Sequence, residues 1–348
     1  MLNSIFLQSF RSYSKSEFKF GSGLTFIVGP NTSGKTNLIE AIFLLSTGKS
    51  FRAENYTQMI SFGKDLARVK GMVGDIDLEV VITNEQKKYL VNGVSKRRAD
   101  FAGHLPAVLF SPLDLDVIVD SPGLRRDFLD FVLEQVDREY RLSVVAYSKA
   151  LRQRNALLET TQETGVRNEK QFEYWDQILI ENGQVITQKR GEFIEFVNAS
   201  SKDIFDFVMF YDKSIISTER LLQYREAEVS SGVTLVGPHR DDFSVSMFNP
   251  STSSGQAATH DIKFFGSRGQ QRLTILQLKL LQLAFIEKNL GERPILLLDD
   301  IFSELDEEHI KLVLELMQGQ QTIITTTHKE FVPKKLLDKA DMIELKSK

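Results

Sequence analysis

The fold is decided by the stretch Leu24-Thr-Phe-Ile-Val-Gly29-Pro-Asn-Thr-Ser-Gly34-Lys35-Thr36-Asn37. Its first five residues are mostly apolar and predict a short buried strand, and the apolar-rich residues 38–45 that follow it predict a helix. Between them, residues 29–36 fit the pattern G-x-x-x-x-G-K-[ST]. A glycine loop that joins a strand to a helix is the context in which this pattern binds phosphate.

The chemistry expected of this loop is the binding of a nucleoside triphosphate. Backbone N–H groups and a helix N-terminus supply the positive potential that phosphates need. Lys35 is expected to reach the β- and γ-phosphates, and Thr36 to offer its hydroxyl to Mg²⁺. The alternative is a glycine turn without a ligand, which the strand and helix in register disfavour. We therefore predict ATP and Mg²⁺ as cofactors, with contacts from Gly29, Pro30, Asn31, Thr32, Ser33, Gly34, Lys35, Thr36 and Asn37.

Composition limits the class of protein. A chain of 348 residues favours two domains, and 42% hydrophobic with 26% charged residues is ordinary for a globular protein. It contains no cysteine, so disulfides and cysteine-bound zinc are excluded. The sequence shows neither a basic apolar leader nor a run long enough to span a membrane, so we expect a cytoplasmic protein with no membrane partner. A net charge of −4 neither indicates nor excludes nucleic-acid binding.

The N-terminal third reads as β-structure around the loop. Residues 1–28 predict a β-meander, and residues 67–98 predict further strands with a hairpin turn at Asn92-Gly93, since both positions tolerate positive φ. Residues 107–110 predict another buried strand. From residue 111 to 230, apolar residues recur at helical spacing and predict three or four long helices, with a turn in residues 160–170.

The C-terminal third returns to mixed structure. Strands are predicted in the stretch that begins at residue 233 and at residues 262–265, followed by a long helix over residues 272–288. Further strands are predicted at residues 295–298 and 322–327.

A second nucleotide motif lies near the C-terminus, where the strand of residues 295–298 ends in Asp299-Asp300. In phosphate-loop NTPases such a strand lies beside the strand of the loop and directs its first Asp to the Mg²⁺. Thr36 and Asp299 are thus the predicted metal ligands. The alternative is a buried strand whose Asp only caps the next helix. If both motifs serve one Mg²⁺, the two ends of the chain must fold together, and the helical middle is an insertion.

Two further residues are candidates for catalysis alongside Lys35. Asp300 is placed to orient or deprotonate the attacking water, as a carboxylate does in NTP hydrolysis, with a helix-capping Asp as the alternative. His328 follows a predicted core strand, where ligand sites gather, although a lone His is more often structural.

At this point the residues resemble a known family. Ser267-Arg-Gly-Gln-Gln271 before a helix is similar to the signature motif of ABC-type ATPases, Ser303-Glu-Leu-Asp306 to their D-loop, and His328 to their switch histidine. Local runs that occur in family order resemble the RecF family of SMC-like ABC ATPases. They are Phe10-Arg-Ser-Tyr13, Gly48-Lys-Ser-Phe-Arg52, Phe110-Ser-Pro-Leu-Asp-Leu115, Arg125-Arg-Asp-Phe-Leu-Asp130, Gly237-Pro-His-Arg-Asp-Asp242 and Phe265-Gly-Ser-Arg-Gly-Gln-Gln-Arg272.

The resemblance implies an α/β fold: an ABC-type P-loop ATPase head, with a mixed sheet and flanking helices, plus an inserted helical arm. We assign residues 1–110 with 231–348 to the head and residues 111–230 to the arm. Two positions depart from the family pattern, Thr32 where glycine is usual and Arg268 where glutamine is usual.

The resemblance also implies a mechanism. ATP is held between two heads of a homodimer, and the second copy supplies Ser267, Gly269 and Gln270. Hydrolysis is slow and switch-like. The implied partners are duplex DNA, single-strand/double-strand junctions and the proteins RecO and RecR, in recombinational repair and replication restart. A transporter-type ABC ATPase and a small-molecule kinase are the rival interpretations.

The residues themselves point to further phosphate contacts. Arg11 and Arg52 suit phosphate, and salt bridges are an equally good interpretation of both. The remaining basic candidates for DNA phosphates are Lys96, Arg97, Arg98, Arg125, Arg126, Arg152 and Arg154.

Overall fold

The computed structural model describes residues 1–248, 259–301, 319–327 and 340–346. The chain divides into two compact units, the first made of Met1–Asp114 with Gln282–Lys348 and the second of Leu115–Leu281. The predicted domains differ from these units at residues 231–281, which the motifs assign to the ATPase head and which lie in the second unit. That these residues act with the head stays a prediction.

The elements are numbered in chain order. The strands are β1 Leu2–Phe10, β2 Tyr13–Lys19, β3 Leu24–Val28, β4 Leu66–Val73, β5 Ile76–Thr83, β6 Lys87–Val91, β7 Val94–Lys96, β8 Ala107–Phe110, β9 Val208–Asp212, β10 Asp242–Phe248, β11 Thr259–Asp261, β12 Ile295–Leu298, β13 Thr322–Thr326 and β14 Asp341–Glu344. The helices are α1 Lys35–Thr47, α2 Arg98–Phe101, α3 Asp116–Val119, α4 Pro122–Val136, α5 Arg138–Thr164, α6 Glu169–Ala199, α7 Thr218–Gln223, α8 Arg225–Ser231, α9 Ile262–Phe265 and α10 Arg268–Leu290.

An antiparallel sheet forms one layer of the first unit, in the order β2-β1-β4-β5-β6-β7. Leu2, Ile5 and Leu7 of β1 are fully buried, and a register shift between Leu2 and Ser4 explains why their spacing is not a strict alternation. The predicted hairpin is confirmed, because Asn92 and Gly93 connect β6 to β7 with φ values of 50° and 73°.

A parallel sheet forms the other layer, in the order β14-β3-β13-β12-β8. Strands from both ends of the chain share it, as the two nucleotide motifs require. One expectation was wrong: β12 does not lie beside β3, because β13 pairs with β3 on one side and with β12 on the other. All four residues of β12 are buried, which is typical of a strand covered on both faces.

Helix α1 contacts strands of both sheets, including β4 and β13. It is buried continuously from Leu38 to Thr47, which fits a helix that is apolar on nearly all sides. The sheet approaches it closely at Gly71 of β4, where a Cβ atom would lie 2.5 Å from Cδ1 of Leu45. Helix α1, which follows the phosphate loop, is therefore packed against both sheets.

The second unit contains the predicted long helices α4, α5 and α6. As predicted, a turn separates α5 from α6, and Gly165 ends α5 with a φ of 70°. The expected strand at residues 262–265 is wrong, because these residues form α9, whose first turn is capped by the Asp261 side chain. The strand expected from residue 233 begins only at Asp242, after a break at Gly237 and Pro238.

The polar run of residues 237–242 holds the second unit together. Tyr147 and His239 Nδ1 are hydrogen-bonded at 2.7 Å, Arg190 donates to the Pro238 carbonyl, and Arg125 pairs with Asp242 at 2.6 Å. These contacts tie α4, α5 and α6 to the turn before β10. Burial lowers the pKa of His239 to about 4, so its ring stays neutral.

Among the described residues, no helix has both the length and the apolar composition needed to cross a membrane.

We expect Gly237→Ala to destabilise the second unit strongly. Gly237 has a φ of 122°, and an added Cβ would lie 2.3 Å from the Tyr147 hydroxyl. The free energy of unfolding should fall by about 3 kcal/mol or more in urea titrations, since strain and overpacking add. Gly165→Ala is the matched control, with positive φ but open space around it, and should cost only about 1 kcal/mol. Equal losses would show that backbone strain alone matters at Gly237.

Candidate functional site

The phosphate loop has the backbone expected of an anion-binding concavity. Thr32 and Gly34 both have positive φ, at 70° and 105°. Gly29 lies so close to Ser33 that a Cβ atom would come within 2.7 Å of its Oγ, so both motif glycines are sterically required. The first turn of α1 carries no acidic residue, which leaves its positive end available to a phosphate.

Lys35 lies inside the loop. Its Nζ donates to the carbonyl oxygens of Gly29 at 2.7 Å and Pro30 at 3.0 Å. Burial lowers its pKa, and the charges of Asp300 and Asp299 partly oppose that shift. The ammonium group is thus held among carbonyl oxygens, next to the acids of the second motif.

The acid pair meets the loop through hydroxyl groups. Thr36 Oγ1 donates to Asp299 Oδ1 at 3.2 Å, and Thr325 Oγ1 donates to the same oxygen at 2.6 Å. The Thr325 hydroxyl in turn accepts from the Asp300 N–H at 2.9 Å. β13 therefore does not separate the two motifs but connects them. Thr325 was not singled out by the sequence, because a Thr-rich strand gives no sign of which hydroxyl faces the site.

Asp299 is a buried acid with an unusual environment. Its side chain is held by two hydroxyl groups, and burial raises its pKa although the bonds from Thr325 and Thr36 oppose the shift. Hydroxyl and carboxylate oxygens are the ligands that Mg²⁺ prefers, and Mg²⁺ typically uses one or two protein ligands beside phosphate and water. Thr36 and Asp299 fit that requirement and would hold the ion.

Asp300 differs from its neighbour. It is only partly buried and has a φ of 53°, a left-handed conformation that Asp tolerates better than most residues. This backbone turns away from the strand direction directly after Asp299, with the N–H fixed by Thr325. The negative charge of Asp300 favours a higher pKa at both Lys35 and Asp299, so its carboxylate belongs to the same site as the proposed metal ligand.

A second buried acid, Glu40, organises the residues around the start of α1. Its carboxylate accepts from Arg11 at 2.6 Å, from Arg52 at 2.7 Å and from Ser50 at 2.6 Å. Burial alone would raise its pKa, but these hydrogen bonds outweigh burial and lower it. Arg11 and Arg52 thus form salt bridges. Arg11 keeps about 20% of its side chain exposed. The signal for Glu40 in the sequence was one acid within the apolar run 38–45.

The signature residues belong to the second unit and begin α10. The Ser267 N–H donates to Gln270 Oε1 at 2.8 Å, and the Gln270 N–H donates to Ser267 Oγ at 3.3 Å. This reciprocal pair is a capping box. Ser267 and Gly269 are exposed, and Gln270 is partly exposed. Two other predicted features, His328 and residues 303–306, lie outside the described residues.

Several basic candidates are not available to phosphate. Arg154 is 1% exposed and bonds to Asp176 and Glu228, and Arg125 is buried against Asp242. Arg126 donates to the Asp241 carbonyl. Arg125 and Arg154 thus neutralise acids inside the second unit, whereas half-buried Arg126 bonds to a backbone carbonyl, and sequence proximity alone did not reveal this. The exposed candidates are Lys96, Arg97 and Arg152.

A phosphate loop joined to an acid-tipped strand of a parallel sheet defines a P-loop ATPase, and the signature sequence places it in the ABC type. Residues 1–346 match the profile of the family described as RecF/RecN/SMC N terminal domain. The chain belongs to the RecF family of this group.

Individual relatives agree with this placement. The DNA replication and repair protein RecF of Moorella thermoacetica (strain ATCC 39073 / JCM 9320) is 36% identical, covering 99% of this chain and 94% of the relative. That of Shouchella clausii (strain KSM-K16) is 35% identical, covering 94% and 92%. A solved structure described as the recombination mediator protein RecF-ATP in the RecFOR pathway is 31% identical, with a TM-score of 0.86 over 95% of this chain and 93% of that chain.

We expect Thr325→Val to impair the site. The change removes the donor to Asp299 and the acceptor of the Asp300 N–H while keeping the volume. ATP turnover should fall about 10- to 100-fold, the usual effect of removing a group that orients a metal ligand, and the free energy of unfolding by about 1–3 kcal/mol.

The control for this experiment lies on the same strand. Thr322 is fully buried, and its hydroxyl has no hydrogen-bond partner in the described part of the chain. Thr322→Val should therefore leave turnover unchanged and be neutral or stabilising. Similar losses in both variants would refute a specific role for Thr325.

We expect Glu40→Gln to lower the free energy of unfolding by about 3 kcal/mol at pH 7, because two partly buried arginines lose their shared counter-charge. Urea unfolding measures the loss. Glu79→Gln is the control: Glu79 pairs with the more exposed Arg68, and that pair should be worth at most about 1 kcal/mol. A loss at Glu40 no larger than at Glu79 would contradict this role.

The same variant predicts a pH dependence. The pKa of Glu40 is lowered in the folded protein, so its stabilisation is present above the unfolded pKa of about 4.3 and is lost as the pH falls through the folded pKa. The stability difference between the wild type and Glu40→Gln should be constant near neutral pH and shrink below about pH 4. A difference that grows on acidification would contradict the assignment.

Proposed function

We propose that this chain is an ATP-dependent DNA-binding protein of DNA replication and recombinational repair. The observation that carries the proposal is that Thr36 of the phosphate loop bonds directly to Asp299, whose carboxylate the Thr325 hydroxyl links to the Asp300 N–H. Membership of the RecF family supports the repair role, because the relatives described above are named as DNA replication and repair proteins.

Each residue of the site has a role in hydrolysis under this proposal. The loop N–H groups and Lys35 bind the β- and γ-phosphates and offset the charge that develops there. Thr36 and Asp299 would hold Mg²⁺, which would supply positive charge to neutralise the phosphates. Asp300 accepts a proton from the attacking water, and His328 assists at the γ-phosphate. The family resemblance implies slow turnover, which suits a switch.

ATP also controls assembly in this proposal. The nucleotide on one copy binds Ser267, Gly269 and Gln270 of a second copy, at the N-terminus of a 23-residue helix whose dipole favours the γ-phosphate. Arg11 adds a cation near the loop. The exposure of Ser267 and Gly269 supports the role of the signature residues, since both are accessible to a second molecule. ATP then shifts the population from monomer to homodimer, and hydrolysis reverses the shift.

The partners follow from family membership. We propose duplex DNA and single-strand/double-strand junctions as ligands and RecO and RecR as protein partners, in loading recombinase at gaps. We further propose that the protein acts with these partners in the cytoplasm.

We expect the Asp300→Asn variant to form a stable dimer with ATP and Mg²⁺ in analytical ultracentrifugation. Asn is isosteric and tolerates the left-handed backbone at this position, so the variant should fold, bind ATP and fail to hydrolyse it. The wild type should dimerise only transiently. The variant should also retain a gapped duplex in the presence of ATP.

The control adds Ser267→Arg to Asp300→Asn. This double variant should still bind ATP through the loop of its own copy but stay monomeric, because the signature side of the nucleotide is blocked. If Asp300→Asn itself stays monomeric with saturating ATP and Mg²⁺, the dimer proposal is refuted. Phosphoryl transfer to a metabolite, without any response to DNA, would instead indicate a kinase.

A further inference from the structure

Basic residues gather at one edge of the antiparallel sheet, around the β6–β7 hairpin. We name six of them the hairpin cluster: Lys49, Lys87, Lys88, Lys96, Arg97 and Arg98. Two of the six come from β6, three from the end of β7 and the start of α2, and one from the residues after α1. β7 is the edge strand, and all three of its residues are exposed.

The inner part of the hairpin cluster surrounds the C-terminal end of α1. Lys87 Nζ donates to the Gly48 carbonyl at 3.3 Å, and Arg98 Nη1 donates to the Thr47 carbonyl at 3.4 Å. Lys96 pairs with Tyr89 across the ladder, so it lies on the same face of the sheet as Lys87. Half-buried Lys87 and Arg98 are thus fixed in place, and the exposed members continue from them along the edge.

The electrostatic environment of Lys87 shows that positively charged side chains lie close to it. Burial lowers its pKa to about 8, and the positive charges of Arg98 and Lys49 lower it further. In the middle of the same sheet the opposite holds: Lys70 bonds to Asp77, and its pKa is raised. A lysine whose neighbours disfavour its charge lies in a positive potential that an anion would relieve.

The outer members are accessible to a large ligand. Lys88 and Lys96 are exposed, and the Arg97 side chain is 69% exposed. Arg97 pairs with Asp100 at 2.8 Å, but an exposed pair of this kind is worth little and exchanges readily for a phosphate. Lys88 precedes Tyr89 on β6 and so lies on the opposite face, which spreads the charge around the strand edge.

We propose that the hairpin cluster binds the phosphate backbone of duplex DNA, with Lys96 and Arg97 as the outermost contacts; this rests on the proposed DNA-binding function and assigns it a surface. A duplex carries one charge per about 1.7 Å of its axis, so a row of cations along an edge can meet several phosphates at once. The cluster consists of long cationic side chains, which suit phosphates, so it binds the backbone without reading sequence.

The test compares two charge-matched variants. Lys96→Gln with Arg97→Gln removes two charges from the proposed surface. Lys15→Gln with Lys19→Gln removes two exposed charges from β2, the strand at the other edge of the same sheet. Binding of a labelled duplex is measured by fluorescence anisotropy with ATP and Mg²⁺ present, over a series of salt concentrations. Nucleotide binding and thermal unfolding are followed in parallel.

The first variant should lose affinity by about tenfold or more at ~0.1 M salt, and its slope of log K against log salt should be shallower by about 2, one unit per lost phosphate contact. Nucleotide binding should be unchanged. The β2 variant should match the wild type in both respects. Equal affinities and slopes for wild type and both variants would overturn the inference while leaving the proposed function intact. A wild type that does not bind DNA would overturn both.

A second measurement uses the unmodified chain, so that folding of a variant is not in question. Lysine acetylation with an activated ester, read by mass spectrometry, reports which amines a duplex covers. We expect DNA to protect Lys88 and Lys96 and to leave Lys15 and Lys19 reactive. Protection of the β2 lysines instead would place the DNA on another surface and overturn the inference.

Discussion

The hydrogen bond from Thr36 to Asp299 is the contact on which the candidate site depends, and it joins residues 263 positions apart. It exists because β13 pairs with β3 on one side and with β12 on the other, so that both nucleotide motifs end at the same edge of one parallel sheet. Thr325 of that central strand then fixes the carboxylate of Asp299 and the N–H of Asp300. The chemistry of a local loop therefore requires a pairing between the two ends of the chain.

Two buried acids near this contact have opposite environments. The difference distinguishes an acid that can bind a cation from one that holds neighbouring arginines in place. Glu40 is surrounded by two guanidinium groups and a hydroxyl, so its charge is neutralised within the protein and its pKa is lowered. Asp299 is held by two hydroxyl groups, and burial raises its pKa. A buried carboxylate in that condition is stabilised by a cation that arrives with a ligand, whereas Glu40 gains nothing from one. Glu40 instead fixes Arg11 and Arg52 beside the first turns of α1.

The sequence was sufficient to predict whatever depends on local pattern. The strand, loop and helix around Lys35, the turn at Asn92-Gly93 and the helices α4 to α6 follow from periodicity and turn chemistry, and the structure has them. The position of β13 between β3 and β12 did not follow, because strand order is a property of the whole sheet and leaves no local signal. The burial of Arg154 could not be predicted from the sequence for a related reason. Its partners Asp176 and Glu228 lie on other helices, 22 and 74 positions away. The predicted role of Ser267 in a second copy stays a prediction, while its capping bond to Gln270 is a local feature of the kind that sequence does encode.

Backbone strain at the site has a physical reason of its own. Thr32 adopts a φ of 70°, which for a β-branched residue costs about 1–2 kcal/mol. A left-handed residue among right-handed neighbours turns successive N–H groups to one side and so creates an anion-binding concavity. An uncharged turn would have no reason to retain such a conformation in a residue that disfavours it. Gly34 follows with a φ of 105°, and helix α1 has no acid in its first turn. The strain at Thr32 is therefore consistent with a loop that is shaped for a phosphate before the phosphate binds.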